Sequence, residues 1–174
     1  MADSPYTEVW LRGPVEGIDG LLLPVAHALV QAREDIRRLA GSVPPEHVWL
    51  RPGGAASIGF HIQHLGGAVD RLFTYARGEL LNEAQKAAMK AEAAPSDPPA
   101  SIDAVAGVAT ERLDGGLAQL RATPSDCLLD ERRVGRAGLP SNVIGLLVHA
   151  AEHTTRHVGQ AITTARILGD AGAT

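Results

Sequence analysis

The amino-acid sequence predicts an all-α protein, a four-helix bundle, and three observations support this fold class. Four long stretches carry apolar residues at helical spacing. The rest of the chain shows no clear alternation of apolar and polar residues, so we predict no sheet. No segment is repeated, and 174 residues are enough for one domain with its own core. We therefore expect a single domain over residues 1–174 in which four helices pack antiparallel.

The first helix follows a lead-in that we predict to be irregular, residues 1–18, because two prolines and two glycines interrupt it. The helix itself is predicted over 19–39, with apolar residues on one face and charged residues on the other. Pro24 falls in its first turns, where proline is best tolerated. Residues 42–54 contain three prolines and two glycines, which predicts a loop.

The second helix is predicted over 58–77, with Ser57 as its N-cap. Gly66 and Gly67 lie in the middle of this helix, where each costs about 1 kcal/mol relative to alanine. We expect that another helix or the functional site approaches them closely. The following stretch, 79–94, is rich in alanine and lysine and only weakly amphipathic, which predicts a short exposed helix or an ordered connector.

The third long helix is predicted over 102–120, with Ser101 as its N-cap. A long connection, 123–140, follows it. Within that connection residues 128–134 could be briefly extended, but their alternation is too poor to predict a strand.

The last long helix is predicted over 142–168, with Ser141 as its N-cap. Gly169 is expected to end it, since glycine commonly follows the last helical residue. The remaining residues, 169–174, are predicted to form a flexible tail.

Five of the seven histidines fall in two clusters, in the second predicted helix and in the last: His61, His64, His149, His153 and His157. Residues four apart lie on the same face of a helix, because each residue turns it by about 100°. The pair His153/His157, and equally the pair His149/His153, can therefore point at one metal ion. His64 or His61 would supply a third ligand. Imidazole binds zinc, nickel, copper and ferrous iron, and three protein ligands leave a coordination position open, as catalytic sites do.

Other interpretations of these residues stay open at this point. Some of the histidines could be core or surface residues that hydrogen-bond to carbonyl groups. Glu152 precedes His153 instead of following it, so the HExxH pattern of zinc proteases is absent. Glu152 and Asp70 could accept hydrogen bonds from metal ligands, or they could be solvated surface charges.

Composition excludes several classes of function. The net charge is −4 without a basic block, which argues against a nucleic-acid-binding surface. Cys127 is the single cysteine, so neither an intrachain disulfide nor a cysteine-based metal site is expected. The first residues lack the features of a signal peptide, and no apolar run reaches the roughly 18 residues that span a bilayer. We therefore expect a cytoplasmic protein without membrane or nucleic-acid partners.

Two segments, residues 51–79 and 135–168, carry a family resemblance. The first contains HIQHLGG and the second contains HAAEHTTRHVGQ. Together they resemble the DinB/YfiT superfamily of metal-dependent bundle proteins. The hallmark of that superfamily is one histidine in the second helix and an H-x-x-x-H-x-G-Q motif in the last. The matching residues here are His64, then His153 and His157, followed by Gly159 and Gln160.

The resemblance implies an up-down-down-up four-helix bundle instead of a purely antiparallel one, and commonly a homodimer. It implies that His64, His153 and His157 hold a divalent metal ion, nickel or zinc in the first place, with iron, manganese and copper as further options. Other residues would then contact the ligands without binding the ion. The candidates for that role are His61, His149, Glu152 and Gln160.

Relatives of this kind with known reactions are thiol-dependent transferases and isomerases, which implies a low-molecular-weight thiol such as mycothiol, bacillithiol or glutathione as partner. We therefore expect a metal-dependent enzyme in which the ion activates a thiol for S-transfer to an electrophile. One alternative is a hydrolase, in which the ion activates water. The other is a non-enzymatic metal-binding or stress-related bundle, which the lack of an obvious general base favours.

Overall fold

The computed structural model describes residues 7–92 and 94–171, with side chains up to residue 169. The chain is mostly helical, which confirms the predicted class. Within the described residues, no helix is long and apolar enough to cross a membrane. The α-helices of this part of the chain are α1 (Leu23–Ala40), α2 (Ile58–Ala76), α3 (Glu83–Ala91), α4 (Ile102–Ala122) and α5 (Val143–Ala171).

The four long helices pack around a shared core. α1 and α2 each contact both α4 and α5. Burying one leucine or isoleucine side chain fully contributes about 1.5–3 kcal/mol, so the core supplies most of the stabilisation. Because α2 contacts both α4 and α5, one of its faces packs on each of them. The contact with α5 places the histidines of α2 against that helix. Fully buried side chains of the core include Leu29, Ile36, Ile62, Leu65, Leu113, Leu120 and Leu147.

Two of the three predicted N-caps are confirmed. The side chains of Ser57 and Ser101 each accept a hydrogen bond from a backbone N–H in the first turn of their helix, at 3.2 Å in both cases. Ser141 is not the cap of α5, because Asn142 lies between it and the first helical residue, Val143. The Oδ1 atom of Asn142 takes that role and accepts a hydrogen bond from the N–H of Gly145 at 2.8 Å.

Two helix ends differ from the prediction by more than two residues. α1 begins later than expected, after a 3-10 turn at Gly20–Leu22. α5 continues past Gly169, so the predicted tail is helical as far as the structure describes it. A glycine costs a helix only about 1 kcal/mol, which a long packed helix tolerates. Residues 1–6 of the lead-in and 172–174 of the tail lie outside the described residues.

A β-hairpin lies in the connection between α4 and α5, so the prediction that no sheet forms is wrong. Strands β1 (Glu131–Val134) and β2 (Leu139–Asn142) pair antiparallel, with Glu131 opposite Asn142 and Val134 opposite Leu139. Gly135 and Gly138 turn the chain between them with φ of 67° and 61°, which only glycine adopts at little cost. Four residues per strand are too few to show a clear alternation.

The stretch 79–94 contains helix α3, as the sequence indicates. Asn82 is its N-cap, and Asn82 and Gln85 each bond the other's backbone N–H through their side chains. The amide of Gln85 also donates to Asp70 at 3.0 Å and to Thr74 at 2.8 Å, both on α2. These bonds attach the beginning of α3 to α2.

Gly66 lies where α2 meets α4. A Cβ atom at this position would lie 2.9 Å from the Cα of Ala109. This confirms the close approach that the glycine predicted and explains why no larger residue fits there.

Candidate metal centre

Helices α2 and α5 bring three predicted ligands together at their contact. The Nε2 atoms of His64 and His153 lie 3.0 Å apart. The ring of His157 lies 4.6 Å from that of His64 and 4.5 Å from that of His153, measured between centroids. One nitrogen of each of the three lies within 4.8 Å of the others. Of the ligand pairs that the sequence left open, the structure thus groups His153 and His157 with His64.

Two of these imidazoles are held in the neutral form. Burial, followed by the neighbouring His153, His64 and His61 and by Arg156, lowers the pKa of His157 from 6.5 to about 4. Burial and then His64 also lower the pKa of His153. Neutral imidazole has a free lone pair, so at pH 7 both rings are in the state that binds a metal ion.

His61 lies beside this group and contacts one member of it. Its side chain is buried, and its Nδ1 lies 3.0 Å from the Nδ1 of His157. Burial and then the nearby His64 lower the pKa of His61. Because Nδ1 of His157 is engaged in this way, Nε2 is the nitrogen that His157 leaves for an ion. His61 therefore contacts a predicted ligand, and its role in supporting an ion-bound His157 stays a prediction.

Glu92 is the residue of the site that the sequence did not reveal. Its side chain is only 7% exposed, and its Oε2 lies 2.8 Å from Nδ1 of His64. Both terminal nitrogens of the Arg71 guanidinium also donate to this carboxylate, one of them at 3.2 Å. Burial opposes ionisation of Glu92, but the hydrogen bonds from His64 and Arg71 outweigh it and hold the pKa of Glu92 below its ordinary value.

The other predicted residues lie at the surface of α5. The side chain of His149 is 56% exposed, and its ring centroid lies 5.6 Å from that of His153. Glu152 forms an ion pair with Arg156 and lies 3.6 Å from His149. Gln160 is exposed. His149 therefore contacts the histidine group through the ring of His153. Glu152 is a surface charge whose ion-pair partners, His149 and Arg156, are on its own helix.

A cleft of about 800 Å³ opens beside the histidine group. His64 and His153 form part of its wall, and residues of α3 and of the turn of the hairpin also line it. Apolar side chains line it together with four cations. Phe60 stacks on His64 outside this cleft, with the rings 5.3 Å apart and 8° from parallel. The cationic residues of the lining are Arg71, Lys86, Lys90 and Arg136, and the larger apolar ones are Leu72, Tyr75, Leu80, Leu81 and Met89.

Comparison with known proteins agrees with the motifs. The sequence profile of the DinB superfamily matches residues 28–161, which include α2, α3, α4 and all of the histidines grouped at the site. No curated protein matches the chain. The profile covers well over half of the sequence, and the chain therefore belongs to the DinB superfamily.

Proposed function

We propose that the protein is a divalent-metal-dependent S-transferase: a low-molecular-weight thiol loses its proton, and its sulfur forms a bond to an electrophile while the rest of the thiol stays attached. His64, His153 and His157 would hold the ion, nickel or zinc. One observation carries the proposal: three imidazole nitrogens within 4.8 Å of one another lie beside a cleft that is large enough for small-molecule substrates.

The donor set fits a divalent ion. Three imidazole nitrogens suit zinc, nickel, copper and ferrous iron, and three protein ligands leave a position for a substrate atom. The lowered pKa values of His153 and His157 keep their lone pairs available at neutral pH. When bound, such an ion acts as a Lewis acid and lowers the pKa of a thiol or water that reaches it.

The cleft has room for a small-molecule substrate beside the histidine group, which S-transfer requires. Its volume, about 800 Å³, falls in the usual range of about 300–1,000 Å³ for small-molecule sites. Tyr75 and Met89 offer apolar surface for an electrophile, while Lys90 and Arg136 offer positive charge for an anionic group. The residues of the chain would thus bind and orient both substrates next to His64 and His153.

Metal analysis and a turnover screen test the proposal. Purified protein reconstituted with Zn²⁺ or Ni²⁺ should hold one ion per chain, and His157→Ala should lose it. The loaded protein should consume mycothiol, bacillithiol or glutathione in the presence of an electrophile. Absence of bound metal in the wild type, or unchanged binding in His157→Ala, would overturn the site. Turnover of an ester without any thiol would favour the hydrolase, and binding without turnover would favour the non-enzymatic bundle.

Membership in the superfamily also supports two structural proposals, the up-down-down-up order of the long helices and a homodimer. Large apolar side chains lie exposed on α5, among them Val148 at 50% and Ile167 at 51%. A second copy of the chain could cover such residues. Sedimentation at micromolar concentration should give the mass of a dimer, and a monomer would remove the second proposal.

A further inference from the structure

We propose that Glu92 is a positioning residue of the candidate metal centre: it fixes the tautomer of His64, so that the Nε2 lone pair of this ring faces His153 and His157. Its role toward the ion rests on the proposed function. The tautomer itself can be measured without any metal, so that the two proposals can fail separately.

A hydrogen bond joins Glu92 to His64. A carboxylate only accepts hydrogen bonds, so at 2.8 Å from Oε2 the Nδ1 atom of His64 must carry the proton. A neutral imidazole has one ring proton, and Nε2 of His64 is therefore left with its lone pair. This atom lies 3.0 Å from Nε2 of His153. The unprotonated nitrogen thus points into the group that is proposed to hold the ion.

With His64 in this tautomer, His153 carries its proton on Nε2 in the metal-free protein. Because Nε2 of His64 can only accept, Nε2 of His153 must donate across the 3.0 Å contact. Binding an ion through Nε2 of His153 would displace this proton, whereas His64 would need no rearrangement. His64 is in this sense the preorganised ligand of the three, and Glu92 is the group that preorganises it.

Arg71 makes the carboxylate suitable for this role. A buried carboxylate without a cation would take up a proton and could then donate to His64 instead of accepting. The guanidinium of Arg71, itself only 11% exposed, approaches both oxygens of Glu92. The bidentate ion pair keeps the carboxylate ionised and fixes its plane.

Gly67 gives a second, independent sign that the sequence makes room for this carboxylate. A Cβ atom on Gly67 would lie 2.1 Å from Oε1 of Glu92 and 2.7 Å from Nη1 of Arg71. The carboxylate therefore occupies the space that any side chain at this position would need. The glycine in the middle of α2 costs about 1 kcal/mol of helix propensity, and the buried Glu92 is what it accommodates.

A purely structural role for Glu92, as the residue that attaches the end of α3 to Arg71, makes a different prediction. It requires the ion pair but not a particular tautomer of His64. A measurement of the ring protons therefore separates the two roles, while stability alone does not.

The experiment uses the full chain in four variants. Glu92→Gln keeps the shape of the side chain, but its amide can accept from Nδ1 of His64 or donate to it. Gly67→Ala displaces the carboxylate without changing it. Glu83→Gln is the matched control, since Glu83 lies at the other end of α3 and pairs at the surface with Lys86. Gly107→Ala is the control for a helical glycine, because a Cβ there would meet nothing within 4 Å.

Imidazole ¹⁵N chemical shifts in the metal-free wild type should show His64 protonated at Nδ1 and unprotonated at Nε2. Glu92→Gln and Gly67→Ala should give a mixture of tautomers. Competition with a zinc chelator should show Zn²⁺ affinity about 10- to 100-fold lower in both, the usual cost of losing a residue that orients a ligand. Both controls should match the wild type.

Protonation of His64 at Nε2 in the wild type would overturn the proposal, and this measurement needs neither a variant nor an ion. Unchanged tautomer and affinity in Glu92→Gln would also overturn it. A wild-type protein that binds no Zn²⁺ or Ni²⁺ but has the expected tautomer would overturn the proposed function and leave the orienting role of Glu92 supported.

Discussion

His61 and His157 meet through the same ring atom: their Nδ1 atoms lie 3.0 Å apart across the contact between α2 and α5. One ring must donate and the other must accept. If Nδ1 of His157 donates, its Nε2 is free to bind an ion, and His61 then carries its own proton on Nε2. In that arrangement His61 accepts the Nδ1 proton of His157, as Glu92 accepts the Nδ1 proton of His64.

We expect His61→Ala to destabilise the metal-free protein by about 1–3 kcal/mol, because a buried side chain is removed and Nδ1 of His157 loses its partner. Urea unfolding measures this change. Zn²⁺ affinity should also fall, by about 10-fold or more, since His157 is no longer oriented. His149→Ala is the control: its side chain is 56% exposed, so it should change stability little. Equal effects of the two substitutions would contradict the orienting role of His61.

Stability of the metal-free protein should decrease as the pH falls from about 6.5 to about 4. The pKa of His157 is about 4 in the fold and 6.5 as an unperturbed side chain, and those of His61 and His153 are also lowered. The unfolded chain therefore binds more protons in this range, and stability rises with pH there. The contribution of His157 is fully present above pH 6.5 and is lost progressively toward pH 4. The difference between 6.5 and about 4 corresponds to about 3 kcal/mol, and solvent screening of the partly exposed ring reduces this contribution to about 2 kcal/mol.

Urea titrations at pH 7, 6, 5 and 4 measure this dependence. His157→Ala should make the free energy of unfolding less dependent on pH, since it removes the histidine whose pKa is lowered to about 4. It also removes the charge that a protonated His157 would place beside the other histidines. A slope that is the same in the variant and in the wild type would show that other groups cause the pH dependence.

The long helices could be predicted from the sequence because they follow from local periodicity, and spacing limited the candidate ligands to the five clustered histidines, of which the family resemblance singled out three. Helical spacing sets which residues of α5 share a face, and the caps Ser57 and Ser101 are read from the residues next to each helix. The choice between the pairs His149/His153 and His153/His157 could not be made from spacing. It depends on how α5 is rotated against α2, which is a property of packing.

Glu92 could not be found in the sequence for a related reason. It lies in the weakly amphipathic stretch 79–94, where the sequence does not distinguish it from acidic residues at the surface. Its partner His64 lies 28 residues away in the chain. The only local sign was Gly67, whose position predicted a close approach without naming the group that approaches. The hairpin was missed because strands of four residues carry too little pattern.

Gly66→Ala should destabilise the protein by about 1–3 kcal/mol, as overpacking in a close contact does. The added Cβ would lie 2.9 Å from the Cα of Ala109 and 3.2 Å from its Cβ, so α2 and α4 would have to move apart. Gly107→Ala, on α4 with nothing within 4 Å of its Cβ, should stabilise by about 0.4–1 kcal/mol instead. Thermal or urea unfolding compares them, and a stabilised Gly66→Ala would refute the close helix contact.

Zinc binding should slow hydrogen exchange in α3, although no residue of this helix is a proposed ligand. α3 is attached to α2 at its beginning by Gln85 and just beyond its end by Glu92, which bonds His64. If Glu92 strengthens metal binding about 10- to 100-fold, then metal binding must strengthen the attachment of Glu92 by the same factor. Amides of Glu83–Ala91 whose exchange requires this end to detach should slow by that factor.

Hydrogen exchange with mass spectrometry, with and without saturating Zn²⁺, measures this response. Glu92→Gln should abolish it even at zinc concentrations that saturate the variant, while Glu83→Gln should keep it, because Glu83 pairs only with Lys86 among the contacts described. The hairpin, which is connected to α2 through Arg132 and the carbonyl of Ala76, serves as an internal reference. If α3 and the hairpin respond equally, zinc stabilises the whole fold and Glu92 does not couple α3 to the metal centre in particular.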